Sequence, residues 1–215
     1  MYTPAAFGES DPAVMADLVR RHPLGLLVVA GPAGLQASPV PFLLREPSQG
    51  LQLVAHVARA NPLWRELQQA PQCLVVFQGA AAYVSPSWYP SKAVTHQVVP
   101  TWNYETVQLR GQATVIHDIQ WLREQVQQVT DHLERQRPQP WQVADAPPPF
   151  IDAQLRALVG IEIAVSSWQG KWKMSQNRSS DDALGVVRGL SDAADPHADA
   201  AVAAAVAARL AARPR

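Results

Sequence analysis

The chain has 215 residues, of which 47% are hydrophobic and 17% are charged, and its formal net charge at pH 7 is zero. This composition is typical of a globular protein that buries a sizeable core, and it excludes a largely disordered chain. The zero net charge argues against non-specific nucleic-acid binding, which depends on a broad positive field.

The N-terminal sequence MYTPAAFGESD has neither the basic nor the apolar region of a signal peptide. No apolar run approaches the roughly 18 residues that a membrane-spanning helix requires. We therefore expect a cytoplasmic protein without a membrane partner. The single cysteine, Cys73, lies in the apolar run CLVVF, which favours a buried core residue over a nucleophile.

The first predicted elements are a helix and three strands. The helix begins at Asp11 and Pro12 and ends before Pro23. The strands LGLLVVA, LQASPVPFLL and LQLVAHV follow, separated by the turns GPAG and REPSQG. Because these turns are short, the three strands are predicted to pair antiparallel.

A short helix and a long irregular segment come next. Asn61 is predicted to cap a helix that Pro62 opens and that ends before Pro71. The stretches CLVVFQG and AAYVS resume the strand pattern. Residues 86–104 then carry prolines and aromatic residues without any periodicity, and such a segment within a compact domain is predicted to be functional.

The remaining elements complete the pattern. ETVQLRGQATVI alternates as a strand, Asp118 is predicted to cap the amphipathic helix after it, and RPQPWQVADAPPPF is interpreted as a connector. LVGIEIAV is predicted to be the last strand. The alanine-rich tail from Pro196 is predicted to be a helix that buries little, either peripheral or packed on a partner subunit.

About six strands in hairpin order with flanking helices predict an α+β fold that is mainly antiparallel β, a barrel rather than an alternating βαβ sheet. The sequence contains no glycine-rich phosphate loop, no Gly-x-Ser-x-Gly turn and no Cys/His cluster with metal-binding spacing. No metal site is therefore expected.

The stretch HVARANP is the first candidate site. His56, Arg59 and Asn61 cluster where a strand ends and a helix begins, which favours binding of a phosphate. The alternative is a core histidine beside a solvated arginine.

Two aromatic stretches, YVSPSWY and PTWNY, are the next candidates. Ser85 and Trp88 belong to the first, in which a turn serine and a core tryptophan are an equally good interpretation. Trp102 belongs to the second, which we interpret as a structural aromatic corner rather than the site of a catalytic Tyr104.

The stretch GKWKMSQNRSS holds two of the three lysines in the chain. Lys171 and Lys173 would share one face of a strand and Trp172 the other. One interpretation is a strand edge protected from aggregation by lysines. The other is a ligand site, because Gln176 and Asn177 continue the polar character and offer paired donors and acceptors for the edge of a heterocycle.

With these stretches assembled, the chain resembles the PaiB family, the FMN-binding negative transcriptional regulators of bacteria. Five motifs occur in the same order: MYTPAAF, HVARANP, AYVSPSWYPSK, VPTWNY and GKWKMSQNRSSDDALGVVRGL. The resemblance predicts a domain over residues 1–190 and leaves residues 191–215 as a separate helical tail.

The resemblance implies a six-stranded FMN-binding split β-barrel with flanking helices, related to pyridoxamine-phosphate oxidases. It also implies a homodimer with FMN at the subunit interface. On this basis His56, Arg59 and Asn61 are assigned to the FMN phosphate, with Lys92 as an additional candidate. Two further sets complete the assignment: Ser38, Pro39, Val40, Ser85, Trp88 and Trp102 line the isoalloxazine ring, and Lys171, Lys173, Gln176 and Asn177 complete the site from the same or the neighbouring subunit.

Two functions follow from the resemblance. One is a flavin-binding negative regulator that affects genes for processes such as sporulation and protease production. The other is an FMN-dependent oxidoreductase or flavin reductase acting on a small molecule. A flavin carrier, or a barrel without cofactor, is a third possibility. DNA binding rests on the resemblance alone, because the sequence has neither a helix-turn-helix pair nor a basic face.

Overall fold

A computed structural model describes residues 1–32, 34–46 and 50–213. The predicted turns GPAG and REPSQG include residues 33 and 47–49, which lie outside the described residues, as do the last two residues of the tail. Within the described ranges, no helix has both the length and the apolar character needed to cross a membrane.

The chain divides into two compact units. We call the first the sheet unit; it comprises Val19–Phe77 and Gln108–Trp168. We call the second the terminal unit; it comprises Met1–Leu18, Gln78–Val107 and Gln169–Arg215.

The described elements are eight strands and seven α-helices, with three short 3-10 helices. The strands are β1 Gly8–Glu9, β2 Leu24–Gly31, β3 Gly34–Pro41, β4 Leu43–Arg45, β5 Gln52–Ala58, β6 Gln72–Val84, β7 Thr101–Ile116 and β8 Leu158–Lys173. The α-helices are α1 Pro12–Arg21, α2 Leu63–Gln69, α3 Lys92–Thr95, α4 Ile119–Glu134, α5 Pro148–Arg156, α6 Ser180–Ser191 and α7 Ala200–Ala211. The 3-10 helices are Ala5–Phe7, Pro86–Trp88 and Val143–Asp145.

The strands form one sheet with the order β3-β2-β6-β7-β8-β5-β4, and β1 pairs with β8. The β2–β3, β2–β6, β4–β5 and β5–β8 pairs are all antiparallel. Six strands have seven or more residues, and β1 and β4 are short additions. The predicted α+β class, with a mainly antiparallel sheet and flanking helices, is confirmed.

The core of the sheet unit lies between the sheet and its helices. Alternate residues of β2 point inward, so Leu27 and Val29 are fully buried. α4 and α5 add a second cluster around Leu122 and Leu155, both almost completely buried. Cys73 is also buried, as predicted, and burial raises the pKa of its thiol to about 11, which makes it a poor nucleophile near neutral pH.

The terminal unit is built on the last two helices and the end of β8. Ser179 caps α6, and Asp199 caps α7 by accepting a hydrogen bond from the Val202 amide at 2.9 Å. α7 packs against α6 and buries Val202 and Val206 completely. The expectation that the tail buries little was therefore wrong: its alanines let the two helices approach closely, and its valines fill the contact.

Two other expectations also need correction. PTWNY is not a corner, because β7 begins at Thr101 and runs through it. The connector RPQPWQVADAPPPF is partly helical, because α5 begins at Pro148, where the first turn of a helix tolerates proline.

Candidate functional site

The candidate phosphate residues lie in the sheet unit, where β5 ends and α2 begins. Arg59 is exposed, and its guanidinium donates hydrogen bonds to the carbonyl oxygens of Arg156 at 2.9 Å and Leu158 at 2.8 Å. Asn61 Oδ1 accepts a hydrogen bond from the Leu63 amide at 3.0 Å, whereas the N-cap of α2 is Pro62 and not the predicted Asn61. The carbonyl partners fix Arg59 in place without neutralising its positive charge.

His56 has a polar partner on α4. Its Nδ1 lies 2.6 Å from Oε1 of Gln125, which is fully buried. Among the residues that the structure describes, none is a hydrogen-bond partner of the Gln125 Nε2. A proton on Nδ1 of His56 satisfies the Gln125 oxygen and leaves the imidazole Nε2 for another contact.

The sequence did not predict the basic surroundings of Arg59. Trp64 donates a hydrogen bond to the Arg59 carbonyl at 2.9 Å, and the ring of His117 lies 5.4 Å from the Trp64 ring. The Arg65 guanidinium lies 4.4 Å from the centre of the Trp64 ring. Arg59, Arg65 and His117 therefore gather around one indole, which favours an anion at this corner of the sheet unit.

Ser38, Pro39 and Val40 are consecutive on β3, so they do not face one side of the sheet. Ser38 is half-buried and Val40 is buried on the inner face, whereas Pro39 is exposed on the outer face. The structure therefore separates Pro39 from the two residues beside it.

Pro39 belongs to a broad apolar surface that we call the outer face. Register places Leu26 of β2 beside Pro39 of β3 on one side and Val76 of β6 on the other. Leu24 is 62% exposed and Leu35 is 80% exposed. The outer face consists of Leu24, Leu26, Val28, Ala30, Leu35, Ala37, Pro39, Pro41, Leu74 and Val76. A continuous apolar surface of this kind is typical of an interaction site.

Lys171 and Lys173 lie at the end of β8 in the terminal unit. Lys171 is 8% exposed and donates a hydrogen bond to the carbonyl oxygen of Tyr2 at 3.2 Å. Its ammonium lies 5.1 Å from the centre of the Tyr104 ring. Because β1 pairs with this part of β8, with Gly8 opposite Lys171, the lysine does not protect an open strand edge.

Lys173 binds the start of β7. Its ammonium donates hydrogen bonds to Oγ1 of Thr101 at 2.6 Å and to the Trp102 carbonyl oxygen. Burial lowers the pKa of Lys173, and the positive charges of Lys171 and Arg178 lower it further. We call Lys171, Lys173 and Arg178 the cation cluster. Lys171 and Lys173 donate these hydrogen bonds to neutral oxygens, so the cluster favours an anion.

A turn held by the C-terminal tail follows the cation cluster. Ser175 has a left-handed backbone, with φ of 61°, and its hydroxyl accepts a hydrogen bond from Asn103 at 3.0 Å. Arg213 donates hydrogen bonds to the carbonyl oxygens of Ser175 at 3.1 Å and Gln176 at 3.3 Å. The Gln176 side chain accepts a hydrogen bond from the Met174 amide at 2.6 Å and donates one to the Trp172 carbonyl oxygen, both before the turn, whereas Asn177 is exposed. The tail thus braces the turn that follows β8.

Ser85 and Trp88 have structural roles within the terminal unit. Ser85 Oγ accepts a hydrogen bond from the Ser87 amide at 3.1 Å. Trp88 donates its indole hydrogen to Oδ2 of Asp195 at 3.0 Å and packs on Gly189 of α6. Lys92 is exposed, and its ammonium lies 3.5 Å from Ser87 Oγ.

Trp102 is the last of the predicted residues. It is 56% exposed, and its ring lies 6.3 Å from that of Tyr83 in an edge-to-face arrangement. Six of the fourteen predicted residues thus lie in the sheet unit and eight in the terminal unit. Arg178 and Arg213 were not predicted.

Replacing Gly189 by alanine should destabilise the protein by about 1–3 kcal/mol, even though alanine is the better helix former. A Cβ atom at Gly189 would lie 2.3 Å from Cδ2 of Trp88, so the indole would have to move away from Asp195. Chemical denaturation measures the change in the free energy of unfolding.

Gly8 provides the matched control in the same unit. A Cβ atom there would meet no atom closer than 3.8 Å, and φ at Gly8 is −67°, which any residue adopts. Gly8→Ala is expected to change stability by less than about 0.5 kcal/mol. Equal effects of the two substitutions would show that Trp88 does not pack tightly on α6.

Comparison with known proteins identifies a family. The family described as "Putative FMN-binding domain" matches residues 1–167. The matched region includes HVARANP and PTWNY and ends before the cation cluster.

Curated relatives match nearly the whole chain. Protease synthase and sporulation protein PAI 2 of Bacillus subtilis is 29% identical over 198 residues, which is 92% of this chain and 93% of the relative. An uncharacterized protein of Aspergillus fumigatus is 31% identical and covers 88% of this chain and 90% of its own length.

A solved structure shows the same fold. The FAD and heme binding protein from Mycobacterium smegmatis superposes with a TM-score of 0.57 at 18% identity. The match covers 77% of this chain and 73% of that protein. At this identity the likeness concerns the fold alone, and it agrees with the predicted split barrel.

Proposed function

This chain belongs to the FMN-binding domain family, and from that membership we propose that it is a homodimeric FMN-binding protein that acts as a negative regulator of gene expression. The family confirms FMN as the predicted cofactor class. The regulatory role is supported by the resemblance to the PaiB regulators and by the similarity to PAI 2 over 92% of the chain.

The cation cluster is the observation that carries the flavin proposal. A buried Lys171 and a half-buried Lys173 lie close enough to Arg178 for like charges to lower the pKa of Lys173. Such an arrangement is costly in the protein alone and becomes favourable when an anion binds. FMN supplies negative charge on its phosphate, and its reduced ring carries a further negative charge that a nearby cation stabilises.

The residue assignments follow from the contacts in each unit. We propose that Arg59, with His56 and Asn61, binds the phosphate, because its positive charge is held in place and is not neutralised by its carbonyl partners. The cation cluster and Asn177 are assigned to the polar edge of the flavin ring. When bound, FMN supplies the redox chemistry, and these residues bind and orient it.

The other predicted residues receive narrower roles. Pro39 and Trp102 are exposed and are proposed to line the ring. Ser38 and Val40 face inward and support β3, and Gln176 shapes the turn after β8 through its backbone contacts. Ser85 and Trp88 are engaged within the terminal unit and are proposed to position residues 85–96.

The outer face supports the homodimer. Ten apolar residues on three adjacent strands, with Leu35 and Leu24 more than half exposed, form a surface that a second copy of the chain would bury. Homodimer interfaces are more apolar than the average protein surface. We propose that β2, β3 and β6 of the sheet unit form the subunit contact.

Titration of the purified protein with FMN tests the cofactor. Saturating FMN, at about 100 times its Kd, should stabilise the folded state by about 2.7 kcal/mol and raise the Tm by several degrees. Riboflavin, which lacks the phosphate, is the matched ligand and should raise the Tm less. An unchanged Tm and an unchanged flavin absorbance spectrum on mixing would refute the cofactor proposal.

A small-molecule oxidoreductase is the second candidate function. It is favoured by a cavity in the terminal unit that opens beside Lys92. Steady oxidation of NADH or NADPH by the FMN-loaded protein would support this candidate, and sequence-selective DNA retention at physiological salt would support the regulator.

A further inference from the structure

The cavity beside Lys92 lies wholly within the terminal unit and has a volume of about 470 Å³. Volumes of this size are typical of small-molecule sites. Trp88, Tyr89 and Pro90 form its apolar wall, and Ser87, Lys92 and His96 add polar groups. None of the described residues that line it is acidic. We propose that this cavity binds a small planar anion of the aromatic carboxylate class.

The wall of the cavity is fixed before any ligand binds. Ser91 donates hydrogen bonds from its amide and its hydroxyl to the two carboxylate oxygens of Asp182, at 3.1 and 2.8 Å. Asp182 is 6% exposed and lies in the first turn of α6. A Cβ atom at Gly185 would lie 2.0 Å from the Trp88 carbonyl oxygen, so the segment packs directly on the helix backbone. A preformed wall lowers the entropy cost of binding a ligand.

Tyr89 holds the wall of the cavity from its buried side. Its side chain is 2% exposed, and the Arg178 guanidinium lies 4.7 Å from the centre of its ring. Burial raises the pKa of the Tyr89 hydroxyl, and the positive charge of Arg178 and a hydrogen bond with it oppose that rise.

The polar groups of the cavity determine the charge of its ligand. Lys92 is exposed, and its ammonium donates a long hydrogen bond of 3.5 Å to the Ser87 hydroxyl. His96 ends α3 with a left-handed backbone, with φ of 54°. Lys92 can donate hydrogen bonds to a carboxylate, and His96 can add another donor.

The aromatic wall determines the shape of the ligand. The indole of Trp88 is a large apolar surface, and α6 and the residues after it hold the indole in place. A planar ring gains stacking energy on such surfaces that a puckered ring of the same charge does not. This inference goes beyond the flavin site, because no contact with FMN enters it.

Calorimetric titration of the full chain with benzoate tests the inference, with and without saturating FMN. Benzoate is expected to bind one site per chain in both conditions. Cyclohexanecarboxylate, with the same charge and a puckered ring, and benzyl alcohol, with the ring and no charge, should each bind roughly tenfold more weakly.

Lys92→Met is expected to weaken benzoate binding roughly tenfold, because it removes a charge-assisted hydrogen bond. Arg188→Met is the matched control, since Arg188 is an exposed cation of α6 that does not line the cavity. Its affinity for benzoate should equal that of the unmodified protein.

Three results would overturn the inference: no saturable benzoate binding at millimolar concentration, equal effects of Lys92→Met and Arg188→Met, or displacement of benzoate by FMN. Displacement would assign Lys92 to the flavin site and leave the flavin proposal standing. Benzoate binding to a chain that does not bind FMN would support the inference and refute the proposed cofactor.

Discussion

Replacing both Lys171 and Lys173 by methionine is expected to weaken FMN binding by at least about tenfold, which corresponds to about 1.4 kcal/mol. Lys171 is buried and Lys173 is half-buried, and both donate hydrogen bonds to uncharged oxygens. Charge-assisted hydrogen bonds contribute about 1.5–3 kcal/mol each, so the loss of both exceeds experimental error in a fluorescence titration.

Removal of the two positive charges should not by itself lower the free energy of unfolding of the double variant. The pKa of Lys173 is lower in the folded protein than its ordinary value, so the folded state binds the proton less tightly than the unfolded state does. The charged form of Lys173 therefore costs stability at neutral pH, and that cost disappears only as the pH rises through the lysine range. Methionine preserves most of the apolar stem without the charge.

An exposed arginine supplies the control for this prediction. Arg188 lies on α6 and is not one of the proposed flavin residues, so Arg188→Met should leave the FMN affinity unchanged within about twofold. Equal affinities of the double variant and the unmodified protein would show that the cation cluster does not contact the flavin.

The reduction potential gives a second measurement. A cation near the polar edge of the ring stabilises the anionic reduced flavin more than the oxidised form. If the substitutions reduce this preference for the reduced flavin by about 1.4 kcal/mol, the two-electron reduction potential falls by about 30 mV. The double variant should therefore have a lower reduction potential than the protein with Arg188→Met, a difference that a purely structural role of the lysines would not produce.

The sequence predicted the elements whose local pattern agrees with their tertiary environment. Asp118 was predicted to cap a helix, and its Oδ1 accepts a hydrogen bond from the Trp121 amide at 2.7 Å. The alternation in β2 predicted a strand with one buried face, and Leu27 and Val29 are fully buried. In both cases the deciding contacts lie within a few residues of the chain or follow from strand periodicity.

The start of β7 was missed because its inward positions are polar. Asn103 is 1% exposed and bonds Ser175, which is 72 residues away. Glu105 is 6% exposed and accepts a hydrogen bond from the Ala80 amide at 3.3 Å. Buried polar residues satisfied by distant partners remove the apolar alternation on which strand prediction depends.

The sequence contains a start signal for helix α6, but the helix was not predicted. Ser179 followed by Asp182 is the pattern of a helix start, and the Ser179 hydroxyl accepts a hydrogen bond from the Asp182 amide at 3.2 Å. Arg213 is different, because no local pattern indicates that it binds the turn at Ser175. Contacts of this kind depend on tertiary structure and are not encoded in a short motif.

Replacing Leu26 by aspartate is expected to convert the protein from a dimer to a monomer. Leu26 is 41% exposed at the centre of the outer face, with Pro39 and Val76 on either side. In a dimer interface the carboxylate would lose its hydration without gaining a partner, which costs several kcal/mol. Sedimentation equilibrium should give twice the 23.4 kDa chain mass for the unmodified protein and the single-chain mass for the variant.

Leu133→Asp is the matched control for Leu26→Asp, because Leu133 is 53% exposed on α4 and does not belong to the outer face. The control should remain dimeric. If FMN binds at the subunit contact, Leu26→Asp should also lose FMN affinity, whereas Leu133→Asp should keep it. A monomeric unmodified protein that binds FMN with full affinity would refute the interface and place the whole flavin site within one chain. If Leu26→Asp remains a dimer, the subunit contact does not lie on the outer face.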